Sequence, residues 1–255
     1  MKKISLIELL APIWLLCAVI LIWHILTVAF SIQPFLLPGP GAVMDEAWTH
    51  SNELIRATLM TAAGALGGFV ISFVLGSMIA FLFSQSRIIQ YSFYPYAIFL
   101  QTVPIVAIAP LIVIWCGTGF QSVVIVAMII SLFPIITNGT AGLTNISQQQ
   151  TDLFNLYNAS RWQILWKLRL PNSVPNLVTG AKISSGLSVI GAIIGEFFVG
   201  YGTKNFGLGY LIMMTSGQLK TPYLFATIIC STLLGVVIFL LINLVGDLIL
   251  KRWQE

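Results

Sequence analysis

This sequence is poor in charge: Asp, Glu, Lys and Arg together make up 8% of its 255 residues. A soluble domain carries about 25%, so the deficit excludes water as the main solvent of the fold. Histidine and cysteine are scarce as well, at two and three copies. Cys17, Cys116 and Cys230 lie in or at the ends of apolar stretches with neither metal-ligand spacing nor an evident pairing, and they read as small buried apolar residues. His24 falls inside an apolar stretch and His50 in a loop. Neither is read with a second ligand at helical spacing, so no metal site is expected. Also missing are a Gly-x-x-x-x-Gly-Lys-Ser/Thr phosphate loop, a Gly-x-Ser-x-Gly elbow and a His-Glu-x-x-His helix. Nucleotide hydrolysis on this chain is therefore not expected, and no catalytic residue is assigned.

What the sequence has is length of apolar run. Hydrophobic residues are 58% of the chain, and they recur in stretches of roughly 20 residues, the length that crosses a bilayer as helix. The alternation over about ten residues that marks a membrane barrel is missing. Six spans are expected, at residues 9–30, 59–83, 94–116, 123–143, 178–199 and 223–248. The fold class is all-α, a polytopic membrane helical bundle, with residues 1–255 forming a single transmembrane domain. The first span follows Met1-Lys2-Lys3 and is longer than the ~7–15 residues of a secretory signal core, so it is read as a retained helix.

Orientation follows from the basic residues. Lys2, Lys3, Arg87, Arg161, Lys167, Arg169, Lys182, Lys251 and Arg252 fall on one side of the spans, against Arg56, Lys204 and Lys220 on the other. The positive-inside rule then puts both termini in the cytoplasm. The net charge of +4 reports topology and not nucleic-acid binding.

One long cytoplasmic loop, about residues 144–175, carries the densest local signals. Asn158 accepts a left-handed conformation and can end a first short helix. Ser160 can cap a second, with Gln163 completing a capping box. Pro171 is expected to stop that helix and Pro175 to mark the entry to the fifth span. Trp162, Leu165, Trp166 and Arg169 fall at helical spacing and give an apolar face edged with positive charge. Such a face can lie on a bilayer surface or dock in a groove of another protein.

Two spans carry small residues at every fourth position, Gly64-Gly68-Ser72-Gly76-Ala80 and Gly180-Ser184-Ser188-Ala192, the latter continuing to Glu196 and Gly200. Such stripes let helices approach closely. Pro104, Pro110 and Pro134 lie within the third and fourth spans and can kink them. Glu196 is the carboxylate set deepest in apolar sequence, which makes it a candidate for the path or its outer gate. Gln101, Pro104, Asn138, Ser184 and Ser188 complete a weakly polar set of path candidates. Asp247 is expected to pair with Lys251 one turn on.

The loop resembles the coupling loop of permease subunits of bacterial binding-protein-dependent ABC importers. That family's pattern is Glu-Ala-Ala, three residues, Gly, nine residues, Ile, one residue, Leu-Pro. Asp152-Leu153-Phe154, Asn158, Leu168 and Leu170-Pro171 keep the spacing. Asp152 retains the carboxylate and Asn158 the left-handed turn, while Leu153 and Phe154 are bulkier than alanine and imply a differently shaped groove. Phe35-Leu36-Leu37-Pro38-Gly39-Pro40, Gln101-Thr102-Val103-Pro104 and Phe133-Pro134 resemble the nitrate/sulfonate/taurine branch. Gly191-Ala192-Ile193-Ile194-Gly195-Glu196 followed by Gly207-Leu208-Gly209-Tyr210 resembles members assigned to thiamine-pyrimidine precursors or riboflavin.

The resemblance implies a type I ABC importer permease of the bacterial inner membrane. Two copies would form a homodimer lining one path, with lipid around it. A cytoplasmic ATPase dimer would hold ATP and magnesium and receive Asp152, Leu153, Phe154, Asn158, Ser160, Arg161, Trp162, Leu165, Leu168, Leu170 and Pro171. A solute-binding protein would deliver cargo to the outer loops at residues 34–53 and 201–220. The cargo implied is a hydroxymethylpyrimidine- or riboflavin-type vitamin precursor, the alternative being nitrate, sulfonate or taurine. An ion-coupled carrier would require several intramembrane ionisable groups, where this chain has one. A membrane enzyme would require a catalytic constellation.

Overall fold

The computed structural model of the chain describes residues 6–199 and 206–254; Lys2, Lys3, Gly200 and Lys204 lie outside them. In chain order the helices are α1 (Leu6–Ala29), α2 (Pro40–Thr49), α3 (Ser51–Gln85), α4 (Arg87–Thr102), α5 (Ile105–Cys116) and α6 (Phe120–Thr144). There follow α7 (Gln148–Leu156), α8 (Arg161–Ile164), a π-helical turn (Leu165–Arg169), α9 (Leu170–Val199), α10 (Leu208–Gly217) and α11 (Thr221–Gln254). Five helices are long and apolar enough to cross a membrane, and six spans result if α4 and α5 count as one bent pair. Among the described residues there is no strand.

The bundle is organised around α6, held between α3 and α9. All five small residues of the α3 stripe, Gly64, Gly68, Ser72, Gly76 and Ala80, are buried. The reason is contact distance. A Cβ on Gly68 would lie 2.5 Å from Ala127 Cβ, and one on Gly191 would lie 2.6 Å from Ala127 Cα. Backbones this close gain dispersion contacts that lipid cannot match, which is how helices associate inside a membrane. Serines tie the three helices at the same level. Ser131 Oγ lies 2.9 Å from Ser72 Oγ, and Ser184 donates its hydroxyl to the Ser131 carbonyl at 2.6 Å. The outer helices are bound more loosely: among the described side chains of α1, at residues 10–29, nearly all the apolar ones are exposed and only Thr27 is buried.

Proline acts differently at each position. Pro104 breaks the third span, where α4 and α5 meet at 97°. Pro104 offers no N–H and holds Val103 in extended conformation (φ −69°, ψ 128°), so no α-helical turn can pass through the pair. The expected single helix over residues 94–116 is therefore two. Pro110 and Pro134 sit inside continuous helices. Pro171 and Pro175 do not interrupt the chain either: α8, the π turn and α9 run unbroken over Arg161–Val199. This corrects the expected stop at Pro171 and the expected start of the span at residue 178. The π turn, with Leu170 N–H reaching back to the Leu165 carbonyl, is wider than an α turn and leaves room for the ring of Pro171.

Three further observations differ from expectation, two of them pairings and one a matter of burial. Asp247 meets Lys182 of α9 at 2.7 Å and not Lys251. Cys17 and Cys116 lie exposed on the outer surface of the bundle, and Cys230 is half-buried. His50 does have neighbours at helical spacing. Its ring nitrogens lie 3.3 Å from Glu46 and 3.4 Å from Glu53, and its face stacks on Tyr223 at 4.3 Å. Tyr223 in turn donates its hydroxyl to Glu53 at 2.9 Å, which joins α2, α3 and α11. Among the described residues no group of three or more His, Cys, Asp or Glu is arranged to hold a metal ion.

Candidate coupling surface and the far end of the bundle

At one end of the bundle α7 and α8 form a compact projection, and local hydrogen bonds build it. Ser147 caps α7 by accepting the Gln150 N–H at 3.3 Å. Asn158 ends α7 in the left-handed region at φ 50°. Ala159 N–H then bonds the Phe154 carbonyl and Asn158 N–H the Asn155 carbonyl, both at 3.0 Å, the paired bonds of a Schellman termination. Ser160 and Gln163 make both halves of a capping box, at 2.8 and 3.3 Å. Asp152 is exposed and accepts from the Gln148 amide at 2.9 Å.

The projection presents apolar surface outward. Trp162 and Trp166 are 67% and 64% exposed, and Leu153, Leu156 and Tyr157 are open as well. Between α7 and α8 lies a cleft of ≈ 320 Å³ lined by Leu153, Phe154, Tyr157, Ala159, Gln163 and Lys167. The single face expected from Trp162, Leu165, Trp166 and Arg169 is divided. Leu165 and Leu168 are 5% and 8% exposed and pack into the bundle, while Arg169 donates to the Ser84 carbonyl at the end of α3 at 3.0 Å. Arg161 is exposed, and Leu170 and Pro171 are half-buried where the projection joins α9. Leu165 and Leu168 lie on the side of the helix turned toward the bundle and the two tryptophans on the side turned away, a division that depends on where the rest of the chain packs.

The path candidates separate into two groups. Gln101 and Pro104 are exposed at the α4–α5 break, and Asn138 is half-buried with its amide donating to the Pro134 carbonyl at 2.8 Å. Ser184 and Ser188 are completely buried within the bundle, and Glu196 is 5% exposed. The Glu196 carboxyl accepts the Thr61 hydroxyl at 2.9 Å and the Gly209 N–H at 2.8 Å. Ser184 and Ser188 have no open surface on the chain and Glu196 almost none, so all three are packed between helices. What α9 does leave open is a different stripe, Thr179, Ile183 and Ile190 exposed with Gly186 half-buried. Sequence reasoning passed over it, although it is the face left over once the small residues are assigned to packing.

Spanning helices packed by small residues, with exposed aromatic surface on α7 and α8, define a multi-pass membrane protein with a docking surface at one end. The comparisons with known proteins agree. Residues 72–254 match the family described as the binding-protein-dependent transport system inner membrane component. The chain is 31% identical over 224 residues to the formylaminopyrimidine transport permease protein ThiX of Halalkalibacterium halodurans, covering 88% of each. It is 32% identical over 222 residues to the riboflavin transport system permease protein RibX of Chloroflexus aurantiacus, covering 86% of this chain and 81% of that one. Its fold is similar to a chain of the MetNI methionine ABC transporter in an inward-facing conformation, with TM-score 0.64 and 19% identity over 79% of this chain and 96% of that chain. The chain belongs to the binding-protein-dependent transport system inner membrane components and is the permease subunit of an ABC importer. Such a permease works with an ATPase and a solute-binding protein.

Proposed function

We propose that this permease pairs with a second copy of itself and imports a heterocyclic vitamin precursor of the aminopyrimidine or riboflavin type. Relatives at 31% and 32% identity over most of the chain carry this reading of the cargo. Both termini lie in the cytoplasm, and α7–α8 docks in a groove of a partner ATPase that holds ATP and magnesium and performs all hydrolysis. This chain brings no catalytic group. The solute-binding protein meets the opposite end, at α2 and α10, and the solute passes along the open stripe of α9 and the α4–α5 break.

The exposed aromatic surface of α7–α8 supports the docking, since apolar area of this kind at a membrane subunit's edge is stable only when covered. Closure of the ATPases shifts the bundle between two packings, and hydrolysis returns it. Proteoliposomes holding the permease, its ATPase and its binding protein test the cargo directly. Uptake of formylaminopyrimidine or riboflavin that requires internal ATP is expected. Uptake of an alkanesulfonate with neither of these would overturn the assignment.

A further inference from the structure

Glu196 sits at a joint, and the hydrogen bonds show how it is made. Leu208 and Gly209 open α10, and the first amides of a helix have no acceptor within it. Gly209 N–H finds the Glu196 carboxyl, and Leu208 N–H finds Thr61 Oγ1 at 2.9 Å. Thr61 donates its own hydroxyl to the same Glu196 oxygen. One side chain of α9 and one of α3 thus take the first two amides of α10, at the end where the helix dipole favours an acceptor. Gly207 and Gly209 make the approach possible: a Cβ on Gly207 would fall on the Glu196 carboxyl, and one on Gly209 would come within 2.7 Å of Glu196 Cβ.

The second observation is continuity. Helix runs unbroken from Arg161 to Val199, so the helix that carries Glu196 begins at the exposed Trp162–Trp166 surface roughly 50 Å away. We propose that Glu196 is a positioning residue for transport, the joint through which displacement of α8 moves α10. The inference rests on the docking of α7–α8 to the ATPase. Past Pro175 α9 has no further proline and packs along α6, so a shift or rotation that reaches it is carried on to Glu196, and the shared carboxyl makes α10 follow α9 and not swing as a free loop. Thr61 fixes the fulcrum on α3.

The test uses the assembled transporter in vesicles, with Cys17, Cys116 and Cys230 replaced by serine and Ser216→Cys on the exposed side of α10 as reporter. Labelling of the reporter by a membrane-impermeant thiol reagent is measured without nucleotide and with the ATPases trapped by ATP and vanadate. The two rates are expected to differ. Glu196→Ala and the near-isosteric Thr61→Val should each remove that difference and lower uptake roughly tenfold or more, the loss expected from one buried hydrogen bond, while ATP hydrolysis continues. Glu196→Gln, which retains an acceptor, should recover part of both. Thr61→Val serves where Glu196→Ala does not assemble. Nucleotide-dependent labelling that survives in both variants, or none in the unsubstituted chain, would overturn the joint. An ATPase that fails to copurify even with the unsubstituted chain would instead overturn the docking reading beneath it.

Discussion

Lys182 Nζ lies 2.7 Å from Asp247 Oδ1, and Gly246 is what lets the lysine stem reach it. A Cβ on Gly246 would lie 3.0 Å from Lys182 Cε and 2.7 Å from Val178 Cγ1. The pair joins α9 to α11. Lys182 is the more enclosed of the two, at 25% side-chain exposure against 60% for Asp247. Lys182→Gln and Asp247→Asn should each destabilise the protein slightly, with a coupling of up to about 1 kcal/mol in a double-mutant cycle of thermal unfolding. Strict additivity of the two variants would mean that the contact contributes nothing.

The divided face of α8 separates docking from folding. Trp162→Ala and Trp166→Ala remove exposed surface and should leave the melting temperature unchanged while releasing the ATPase on affinity purification. Leu165→Ala should do the reverse, costing about 2–5 kcal/mol of stability as a buried leucine does, because that side chain faces inward. Stoichiometric retention of the ATPase by a chain lacking both tryptophans would refute the docking surface.

Asn158 holds φ at 50°, which glycine tolerates better and a β-branched residue resists. Asn158→Gly should be neutral. Asn158→Val should loosen the α7–α8 turn by about 1–2 kcal/mol and speed tryptic cleavage after the exposed Arg161. Identical cleavage rates for the two variants would argue against a left-handed residue there.

Glycines that look alike in the sequence should behave oppositely. Gly191→Leu should separate α6 from α9 and cost about 1–3 kcal/mol as overpacking, since the Ala127 backbone occupies the space. Gly41→Ala meets nothing within 4 Å and should stabilise α2 by up to about 1 kcal/mol through helix propensity. Circular dichroism melts in one detergent would decide both, and a neutral Gly191→Leu would contradict the close packing of α6 on α9.

Much of this molecule is determined within short stretches of chain. Span lengths, the Asn158 termination and the Ser160–Gln163 box depend on bonds between residues at most five apart, and the sequence states both partners. The small-residue stripes were legible for the same reason: a face of a helix is a local property. Tertiary structure decided where those faces point. The stripe of Ser184, Ser188 and Glu196 reads equally well as path or as packing until α3 and α6 are seen to cover it. Pro104 bends its span by 97° while Pro134 and Pro171 leave theirs continuous, because the cost of a missing amide depends on whether neighbouring turns can widen around the ring. The partners of Glu196 lie 135 and 13 residues away. No local rule selects Thr61 or Gly209 over other donors in the chain; they meet Glu196 because helices packed at backbone contact bring them within hydrogen-bond reach, where an unpaired buried carboxyl would cost several kcal/mol.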